Sequence, residues 1–334
     1  MLSVNLIGKA NGVGLSRDLD VMAAALRACG CAVSVTPALK ADSRRRRSLL
    51  VRAGARLRRR GWWRSGRRYD YNVMLEHVWP QYLHQAPGNV VVPNPEWFDR
   101  RDRRLLWGID HVWAKTAYTE RLFSALNLPT TRIGFDSEDR RDATVAREPV
   151  FFHLAGKSRM KGTARLLQVW AQHPHWPQLI ALQDQSERLA APAAAHNIDY
   201  RVGFIADAEL RRLQNRCLFH LCPSEAEGWG HYIVEALSVG AIVLTNDAPP
   251  MNELVDPSRG VLIRCRHKGM QNAAETVEFD SADLATAVER VLALPPDALA
   301  RVSTAARAHF EHNHAGFYSR VQRALDGLEA ARPA

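Results

Sequence analysis

The sequence predicts an α/β protein built from two doubly wound domains, and three observations support this. The 334 residues exceed what one hydrophobic core usually supports. A strand, a glycine-rich turn, a helix and a second strand follow one another at the N-terminus, which is the start of a doubly wound sheet. A similar series begins at Val150, after a charged and polar stretch over 136–149 that has the composition of an interdomain linker.

The N-terminal series begins with a predicted strand over 2–7. A turn containing Gly12 and Gly14 follows, and it leads into a helix that ends near Gly30. The apolar residues of this helix recur on one stripe, at Leu19, Met22, Ala23 and Leu26. The next strand is predicted over 31–37. By itself the glycine pair is a weak signal, because a tight packing turn uses the same residues.

The basic charge of the chain is concentrated in one segment. From Arg44 to Arg68 there are twelve Arg and no acids, so this segment has a charge of +12. The net charge of the chain is +10, so all other residues together sum to −2. Apolar residues at helical spacing and Trp62-Trp63 accompany the arginines, a pattern that an anionic membrane surface selects. We expect a membrane or a lipid-linked acceptor as the partner. An arginine-rich loop, a solvated helix face and a site for an anionic polymer stay open, and no RNA-binding module indicates a specific nucleic acid.

Polar side chains end the next strands, which we predict within 71–78, 89–98 and 109–116. Ligands collect at the carboxyl ends of parallel strands. His77, Asn94 and Glu96 are therefore candidates for acceptor binding or proton handling. A lone His at a strand end is also compatible with a purely structural role.

A basic turn follows the first strand of the second domain, which we predict over 150–156. Gly156, Lys157, Arg159 and Lys161 lie between that strand and a helix, where cations and a helix N-terminus would neutralise a diphosphate. A solvated basic turn is the alternative. Further strands are predicted at 178–184, 198–205, 217–223, 239–246 and 260–265, with a helix at 207–216. Two or three helices are predicted over 281–328, the last at 316–331.

Two carboxylates, Glu227 and Glu235, flank a Gly-Trp-Gly turn in the stretch from Cys222 to Glu253. The glycines indicate that Glu227 is in a loop and Glu235 in the helix that follows. Backbone N–H groups of the turn and of the first helical residues favour a phosphate. Carboxylates instead accept hydrogen bonds from sugar hydroxyls, so the combination indicates a nucleotide sugar. A solvated acidic loop is the alternative.

This stretch resembles the donor site of the retaining family 4 glycosyltransferases of the GT-B fold. The elements that match the family signature are Pro223-Ser224, Glu227-Gly228-Trp229-Gly230, Glu235-Ala236, Gly240 and Glu253, with Trp229 in place of the commoner Phe. The resemblance implies that Glu227 contacts the transferred sugar and that Glu235 holds the ribose hydroxyls. It also implies that Gly228, Trp229, Gly230 and His231 form part of the donor site.

The resemblance extends to the glycine-rich and basic turns. It implies that Lys161 and either Lys157 or Arg159 hold the donor phosphates, beside Gly156, although the spacing is one residue short. Gly12 and Gly14 would approach the donor from the other domain. The sequence Asn94-Pro95-Glu96-Trp97 stands where the family often has a His.

The implied architecture is two Rossmann-like domains that face each other across a cleft. Residues 1–147 would bind the acceptor, 148–312 would bind the donor, and a helix over 313–334 would cross back to the N-terminal domain. The implied reaction is the transfer of a hexose from a nucleotide sugar, such as a UDP- or GDP-hexose, to a saccharide or lipid-linked acceptor with retention. No metal and no cofactor are expected, and the product would be a surface polysaccharide or a glycolipid.

The cysteines and the hydropathy of the chain predict its localisation. Five cysteines without a zinc-type spacing favour free thiols in a reducing cytoplasm, and no apolar run approaches the roughly eighteen residues that span a bilayer. We expect a cytoplasmic protein with peripheral attachment to the inner face of the cell membrane. An inverting GT-B transferase, a sugar epimerase and a non-catalytic arginine-rich binding protein on the same scaffold are the alternatives.

Overall fold

The structure is a computed structural model that describes residues 1–9, 14–38, 50, 53–54, 68–190 and 193–331. The chain divides into two compact units. Unit 1 comprises Met1–Asp136, Gln271–Ala274 and Ala315–Ala334, and unit 2 comprises Ser137–Met270 and Glu275–His314. The predicted membrane-binding segment, Arg44 to Arg68, falls almost entirely outside the described residues.

Unit 1 is built on a parallel six-stranded sheet. Its strands are β1 (Ser3–Gly8), β2 (Ala32–Pro37), β3 (Tyr71–Glu76), β4 (Gly88–Pro93), β5 (His111–Ala114) and β6 (Thr130–Arg132). They lie in the order β2-β1-β3-β4-β5-β6. The helices described before residue 136 are α1 (Gly14–Ala28), α2 (Arg100–Arg103) and α3 (Ala117–Ser124), with a 3-10 helix at Leu106–Gly108. Strand β6 and helix α3 have no counterpart among the predictions.

Strands β1, β3 and β4 are buried on both faces, which explains why they are rich in Val, Leu and Ile, since the central strands of a parallel sheet are covered on each side. Helix α1 covers one face with the predicted stripe, whose four residues are all buried. Helix α3 begins where Thr116 caps it, because the Thr116 hydroxyl accepts a hydrogen bond of 3.1 Å from the backbone N–H of Thr119.

A ladder of three buried asparagines fixes the register of this sheet. Asn5, Asn72 and Asn89 lie opposite one another on β1, β3 and β4, and none is exposed. The amide of Asn5 donates to Asn72 at 3.0 Å, and the amide of Asn72 donates to Asn89 at 2.7 Å. A slip of one residue would leave these buried amides without partners, so the ladder strongly disfavours it.

Unit 2 is built on a second parallel six-stranded sheet. Its strands are β7 (Glu148–Gly156), β8 (Leu179–Gln183), β9 (Ile198–Val202), β10 (Cys217–Cys222), β11 (Ile242–Asn246) and β12 (Gly260–Ile263). They lie in the order β12-β11-β10-β7-β8-β9. The helices that begin in unit 2 are α4 (Thr163–Ala171), α5 (Asp207–Arg216), α6 (His231–Ser238), α7 (Met251–Leu254), α8 (Ser281–Leu292) and α9 (Pro296–Ala330), and α9 belongs to unit 1 from Ala315 onward. A 3-10 helix lies at Gln185–Glu187. These two sheets with their helices confirm the predicted α/β class.

The strand order of unit 2 places a crevice between β7 and β10. The chain leaves β7 toward β8 on one side and leaves β10 toward β11 on the other, so the order reverses between these neighbours. Ligands bind at such a reversal, outside the carboxyl ends of the strands. The turn that follows β7 carries Lys161, and the loop that follows β10 carries Glu227.

Two features near the C-terminus differ from the predictions. A two-stranded sheet, β13 (Cys265–Gln271) with β14 (Ala274–Phe279), occupies a stretch for which no element was predicted. The last helix was predicted at 316–331, but α9 already begins at Pro296. Gly316 is an interior residue of α9 and not its start. Phe310, Phe317 and Val321 are buried along one stripe through it, and this packing outweighs the roughly 1 kcal/mol that an interior glycine costs.

Candidate active site

Two glycines shape the basic turn that follows β7. Gly156 and Gly162 have φ of +53° and +65°, in the left-handed region that favours glycine. A Cβ at Gly162 would lie 3.0 Å from the carbonyl oxygen of Pro223 and 3.2 Å from the ring of Phe279. The turn is therefore packed against the loop after β10, which brings Lys161 close to that loop.

The loop after β10 ends at a third left-handed glycine. Gly230 has φ of +90° and immediately precedes α6, whose N-terminus is not capped by any side chain. As predicted, Glu227 is in the loop and Glu235 is inside the helix. Because α6 has eight residues, its positive end adds to the attraction for an anion at the crevice.

Lys161 and Glu227 form an ion pair at the crevice. The Lys161 ammonium contacts Oε1 of Glu227, and the two side chains are only 14% and 13% exposed. The same Oε1 accepts a hydrogen bond of 2.6 Å from the Ser224 hydroxyl. The ammonium also lies 3.5 Å from the centroid of the Tyr232 ring. The structure thus brings together the two predicted residues on which the donor site most depends.

The second oxygen of this carboxylate is available to a ligand. Within the described residues, Oε2 of Glu227 has neither a hydrogen-bond nor an ion-pair partner, and the only partner of the Lys161 N–H groups is Glu227. A carboxylate oxygen accepts from hydroxyl groups, and an ammonium has three donors for phosphate oxygens. The pair can therefore bind a ligand that has both hydroxyl and phosphate groups.

A buried histidine supports the turn from beneath. His153 on β7 lies 2.9 Å from the carbonyl oxygen of Leu221 and 2.9 Å from the hydroxyl of Thr163, the first residue of α4. Burial lowers the pKa of His153 to about 4, and the nearby charge of Lys161 acts in the same direction. The imidazole is therefore neutral at pH 7, and it ties β7 to both β10 and α4.

Trp229 and His231 are joined through one serine. The Trp229 indole N–H donates to the Ser137 hydroxyl at 3.1 Å, and Nδ1 of His231 lies 2.8 Å from the same oxygen. Trp229 is 6% exposed. Its ring therefore packs inward and anchors the Gly228–Gly230 turn.

Glu235 belongs to a buried polar chain. It is 1% exposed and accepts a hydrogen bond of 3.0 Å from the amide of Gln214. The oxygen of that amide accepts 3.0 Å from Nε of Arg140, which is also buried. Burial alone would lower the pKa of Arg140, but the hydrogen bond to Asp207 and the charges of Glu138 and Glu235 raise it. A ribose would reach Glu235 only if groups that cover it move.

The other two predicted phosphate ligands have different partners. Lys157 lies 3.9 Å from Asp184, and Arg159 pairs with Glu187, both on the segment after β8. Arg159 and Glu187 line a cavity of about 470 Å³, which has neither Lys161 nor Glu227 in its wall. Lys157 and Arg159 therefore have ion-pair partners of their own, apart from the Lys161–Glu227 pair.

In unit 1, His77 lies between two carboxylates. Its Nδ1 is 3.0 Å from the fully buried Asp102, and its Nε2 is 3.2 Å from Glu76. Lys9 approaches Glu76 at 3.6 Å. Lys9 and Glu76 come from the ends of β1 and β3, where the strand order of unit 1 reverses. This arrangement suits proton exchange or hydrogen bonding with hydroxyl groups.

Asn94 and Glu96 lie in the segment after β4. Asn94 accepts a hydrogen bond of 3.0 Å from Lys115, which forms a buried ion pair of 2.5 Å with Asp18. The backbone carbonyl of Glu96 accepts 2.7 Å from Asn272, and its side chain is buried. Of the two predicted N-terminal glycines, Gly14 begins α1, and Gly12 lies outside the described residues.

The part of the chain that the structure describes contains neither a candidate metal site nor a candidate membrane span. There, no group of three or more His, Cys, Asp or Glu side chains could hold a metal ion. No helix in that part has the length and apolar character needed to cross a bilayer.

The sequence indicated some partners of the site and missed others. Ser224 belongs to the quoted Pro-Ser element, but its contact with Glu227 was not predicted. Tyr232 and Gln214 were not singled out at all. A buried polar residue carries no local signal of its role, because its partners come from distant parts of the chain. The spacing of Tyr232, eight residues after Ser224 at the start of an apolar helix, is the only sequence feature that could have indicated it.

Comparisons with known proteins agree with this geometry. A family model described as glycosyl transferases group 1 matches residues 135–309, more than half of the chain. Comparison with curated proteins gives no significant match.

Three solved structures resemble the whole chain at low sequence identity. Sucrose-phosphate synthase from Thermosynechococcus elongatus has a TM-score of 0.72 at 15% identity and covers 99% of this chain and 100% of its own. HepE from Anabaena, in complex with UDP and glucose, has a TM-score of 0.64 at 15% identity, and the match covers 98% of this chain and 100% of HepE. A glycosyltransferase from Rickettsia africae has a TM-score of 0.64 at 12% identity and covers 98% and 97%. These matches confirm the predicted GT-B fold.

Proposed function

Because the chain belongs to the glycosyl transferases of group 1, we propose that it transfers a hexose from a nucleotide-sugar donor to a saccharide or lipid-linked acceptor with retention of the anomeric configuration. The observation that carries this proposal is the Lys161–Glu227 pair at the point where the strand order of unit 2 reverses. The uncapped N-terminus of α6 lies directly after the same loop. A carboxylate that accepts hydrogen bonds from sugar hydroxyls, a cation and a helix dipole are thus combined where a sugar diphosphate needs all three.

Each member of the site has a distinct role in this proposal. Lys161 neutralises the charge that develops on the departing diphosphate, and Glu227 orients the sugar through its available Oε2. Such stabilisation of a leaving group is commonly the largest contribution to catalysis. The family 4 resemblance supports Glu235 as the ligand of the ribose hydroxyls. Lys157 or Arg159 would supply a second positive charge.

Donor binding would exchange the partner of Lys161. In this structure the ammonium is paired with Glu227, and a diphosphate carries more negative charge than one carboxylate. A bound donor would therefore draw Lys161 toward its phosphates and leave more of Glu227 to the sugar. No metal ion is needed for this role of Lys161. The UDP in the HepE structure supports a uridine nucleotide as the first donor to test.

The acceptor side is proposed from unit 1 and from the sequence of the basic segment. His77, Asn94 and Glu96 follow strands of the unit 1 sheet, and His77 is placed between two carboxylates, which suits exchange of a proton with an acceptor hydroxyl. The arginines from Arg44 to Arg68 would bring the enzyme to an anionic membrane surface. We therefore favour a lipid-linked acceptor at the inner face of the cell membrane, in the synthesis of a surface polysaccharide or glycolipid.

The test is transfer of radiolabelled hexose from UDP- and GDP-hexoses into lipid, with a membrane extract supplying the acceptor. We expect Lys161→Ala and Glu227→Ala each to reduce transfer about a hundredfold or more, since removal of one charge-stabilising group commonly costs that much. The matched control is Lys268→Ala, which breaks a similar but more exposed Lys–Glu pair with Glu225.

Three outcomes would decide the proposal. Full transfer by both site variants would refute the site, and a product of inverted configuration would refute retention. Wild-type protein that neither binds nor hydrolyses any of the nucleotide sugars would instead indicate a non-catalytic scaffold.

A further inference from the structure

Tyr232 contacts both halves of the catalytic pair, although the family signature gives no role to this position. It is the second residue of α6 and is 8% exposed. Its ring lies below the Lys161 ammonium, 3.5 Å from nitrogen to centroid. Its hydroxyl contacts the hydroxyl of Ser224, which in turn reaches Glu227.

The direction of these hydrogen bonds follows from the number of protons. The Ser224 hydroxyl has one proton, and a carboxylate can only accept, so Ser224 donates to Glu227. The Tyr232 hydroxyl must then donate to the oxygen of Ser224. Burial raises the pKa of Tyr232 well above its ordinary value, so the phenol keeps the proton that this chain requires. The chain therefore runs from Tyr232 through Ser224 to Oε1 of Glu227.

The ring serves the other half of the pair. An ammonium over an aromatic face is attracted by the negative charge density of the ring, and the attraction grows when water is excluded. Lys161 is 14% exposed and meets this condition. The ring holds the ammonium from one side, which leaves the N–H donors on its other sides available to Glu227 and to phosphate oxygens.

We infer that Tyr232 is a positioning residue for donor binding, whose hydroxyl fixes Glu227 through Ser224 and whose ring fixes Lys161. The hydrogen bond from Ser224, which Tyr232 orients, and the ion pair with Lys161 both end on Oε1, so the rotation of the carboxylate is fixed and Oε2 is presented to the sugar. This inference rests on the proposed function, because it assigns the sugar to Glu227 and the diphosphate to Lys161.

Two substitutions at this position separate the two roles. Tyr232→Phe removes the hydroxyl and keeps the ring, so we expect turnover of the nucleotide sugar to fall about tenfold. The affinity for the nucleoside diphosphate alone should not change. Tyr232→Leu also removes the ring, and we expect the affinity for the diphosphate to fall by roughly three- to thirtyfold as well.

Ser224→Ala provides an independent check, because it breaks the same chain at its middle. It should reproduce the effect of Tyr232→Phe, and the double variant should be no worse than either single variant. Tyr200→Phe is the matched control, since that hydroxyl also makes a hydrogen bond within unit 2, of 2.6 Å to Gln183, but away from the pair. It should leave both turnover and affinity unchanged.

The measurements are calorimetric titrations with UDP and GDP, and steady-state turnover of UDP-glucose and GDP-mannose, after thermal unfolding has shown that each variant is folded. The inference would be overturned if Tyr232→Phe lost as much affinity for the diphosphate as Tyr232→Leu. It would also be overturned if both variants kept the turnover of wild type. If wild-type protein binds none of the four probes, the proposed function fails and the inference fails with it. If wild-type protein binds and Lys161→Ala and Glu227→Ala are inactive, a negative result at Tyr232 refutes only the role of Tyr232.

Discussion

Single residues of the proposed donor site differ in their exposure to water. Lys161 and Glu227 are slightly exposed, whereas Glu235 is held within the protein by Gln214, with Arg140 behind it. A buried carboxylate needs a hydrogen-bond donor or a compensating charge, because burial removes its hydration. Gln214 supplies the donor and connects Glu235 to the positive charge.

At this scale we predict that Gln214→Leu lowers the free energy of unfolding by at least about 1.5–3 kcal/mol, the range for one lost hydrogen bond to a charged group, because the substitution removes the bonds to both Glu235 and Arg140. Urea unfolding at pH 7 measures it. The control is Gln322→Leu on α9, where an exposed glutamine donates 2.8 Å to Asp326 and its loss should cost under about 0.5 kcal/mol. Equal losses in the two variants would contradict the importance of burial at Glu235.

At the scale of elements, the basic turn after β7 depends on two glycines that differ in their surroundings. Gly156 and Gly162 are both left-handed, but a Cβ at Gly156 would meet nothing within 4 Å, whereas one at Gly162 would press on the Pro223 carbonyl. Substitutions at Gly156 and Gly162 therefore separate the energetic cost of backbone strain from the cost of close packing.

We predict that Gly156→Ala costs about 1–2 kcal/mol through strain alone. Gly162→Ala should cost at least about 1 kcal/mol more, because two backbone segments must also move apart. Thermal unfolding of the two variants gives the difference. Gly162→Ala should also reduce donor turnover, because it displaces Lys161 from Glu227. Equal unfolding temperatures would show that the contact with Pro223 is unimportant.

At the scale of the whole molecule, buried histidines make stability depend on pH. His153 and His220 are fully buried, and burial lowers their pKa values to about 4 and about 3. An unfolded histidine has a pKa near ~6.5. As the pH falls below that value, the unfolded chain takes up protons that the folded chain does not. The stabilising contribution of each neutral histidine is therefore complete above pH ~6.5 and is lost on acidification.

For His153 we predict that the free energy of unfolding falls by about 1.4 kcal/mol per pH unit between pH ~6.5 and ~4, roughly 3.5 kcal/mol in all. Urea unfolding at several pH values measures the slope. The free energy of unfolding should depend less steeply on pH in His153→Gln than in wild type, by about 1.4 kcal/mol per pH unit, which corresponds to one proton. The matched control, His196→Gln at an exposed position, should have the slope of wild type. Identical slopes for wild type and His153→Gln would mean that His153 is protonated in the fold.

Much of the fold could be predicted, because strands and helices follow local patterns. The stripe of α1, the glycine turns and most strands of both sheets were recognised from spacing alone. Strand β6 and the two-stranded sheet β13–β14 were missed, since β6 is only three residues long and the pair β13–β14 is rich in charged residues, so neither has a strong apolar pattern. The last helix was predicted to begin at 316, whereas α9 begins at Pro296.

The sequence by itself determined which residue types stand at the ends of strands and in the turns, including Glu227 in a loop and Glu235 in a helix, because these depend on neighbouring residues. Only the tertiary structure decided the partners. Lys161 reaches Glu227 across 66 positions of sequence because β7 lies beside β10, while Arg159 turns to Glu187. Ion pairs depend on distances of a few ångströms, and the order of the strands sets these distances.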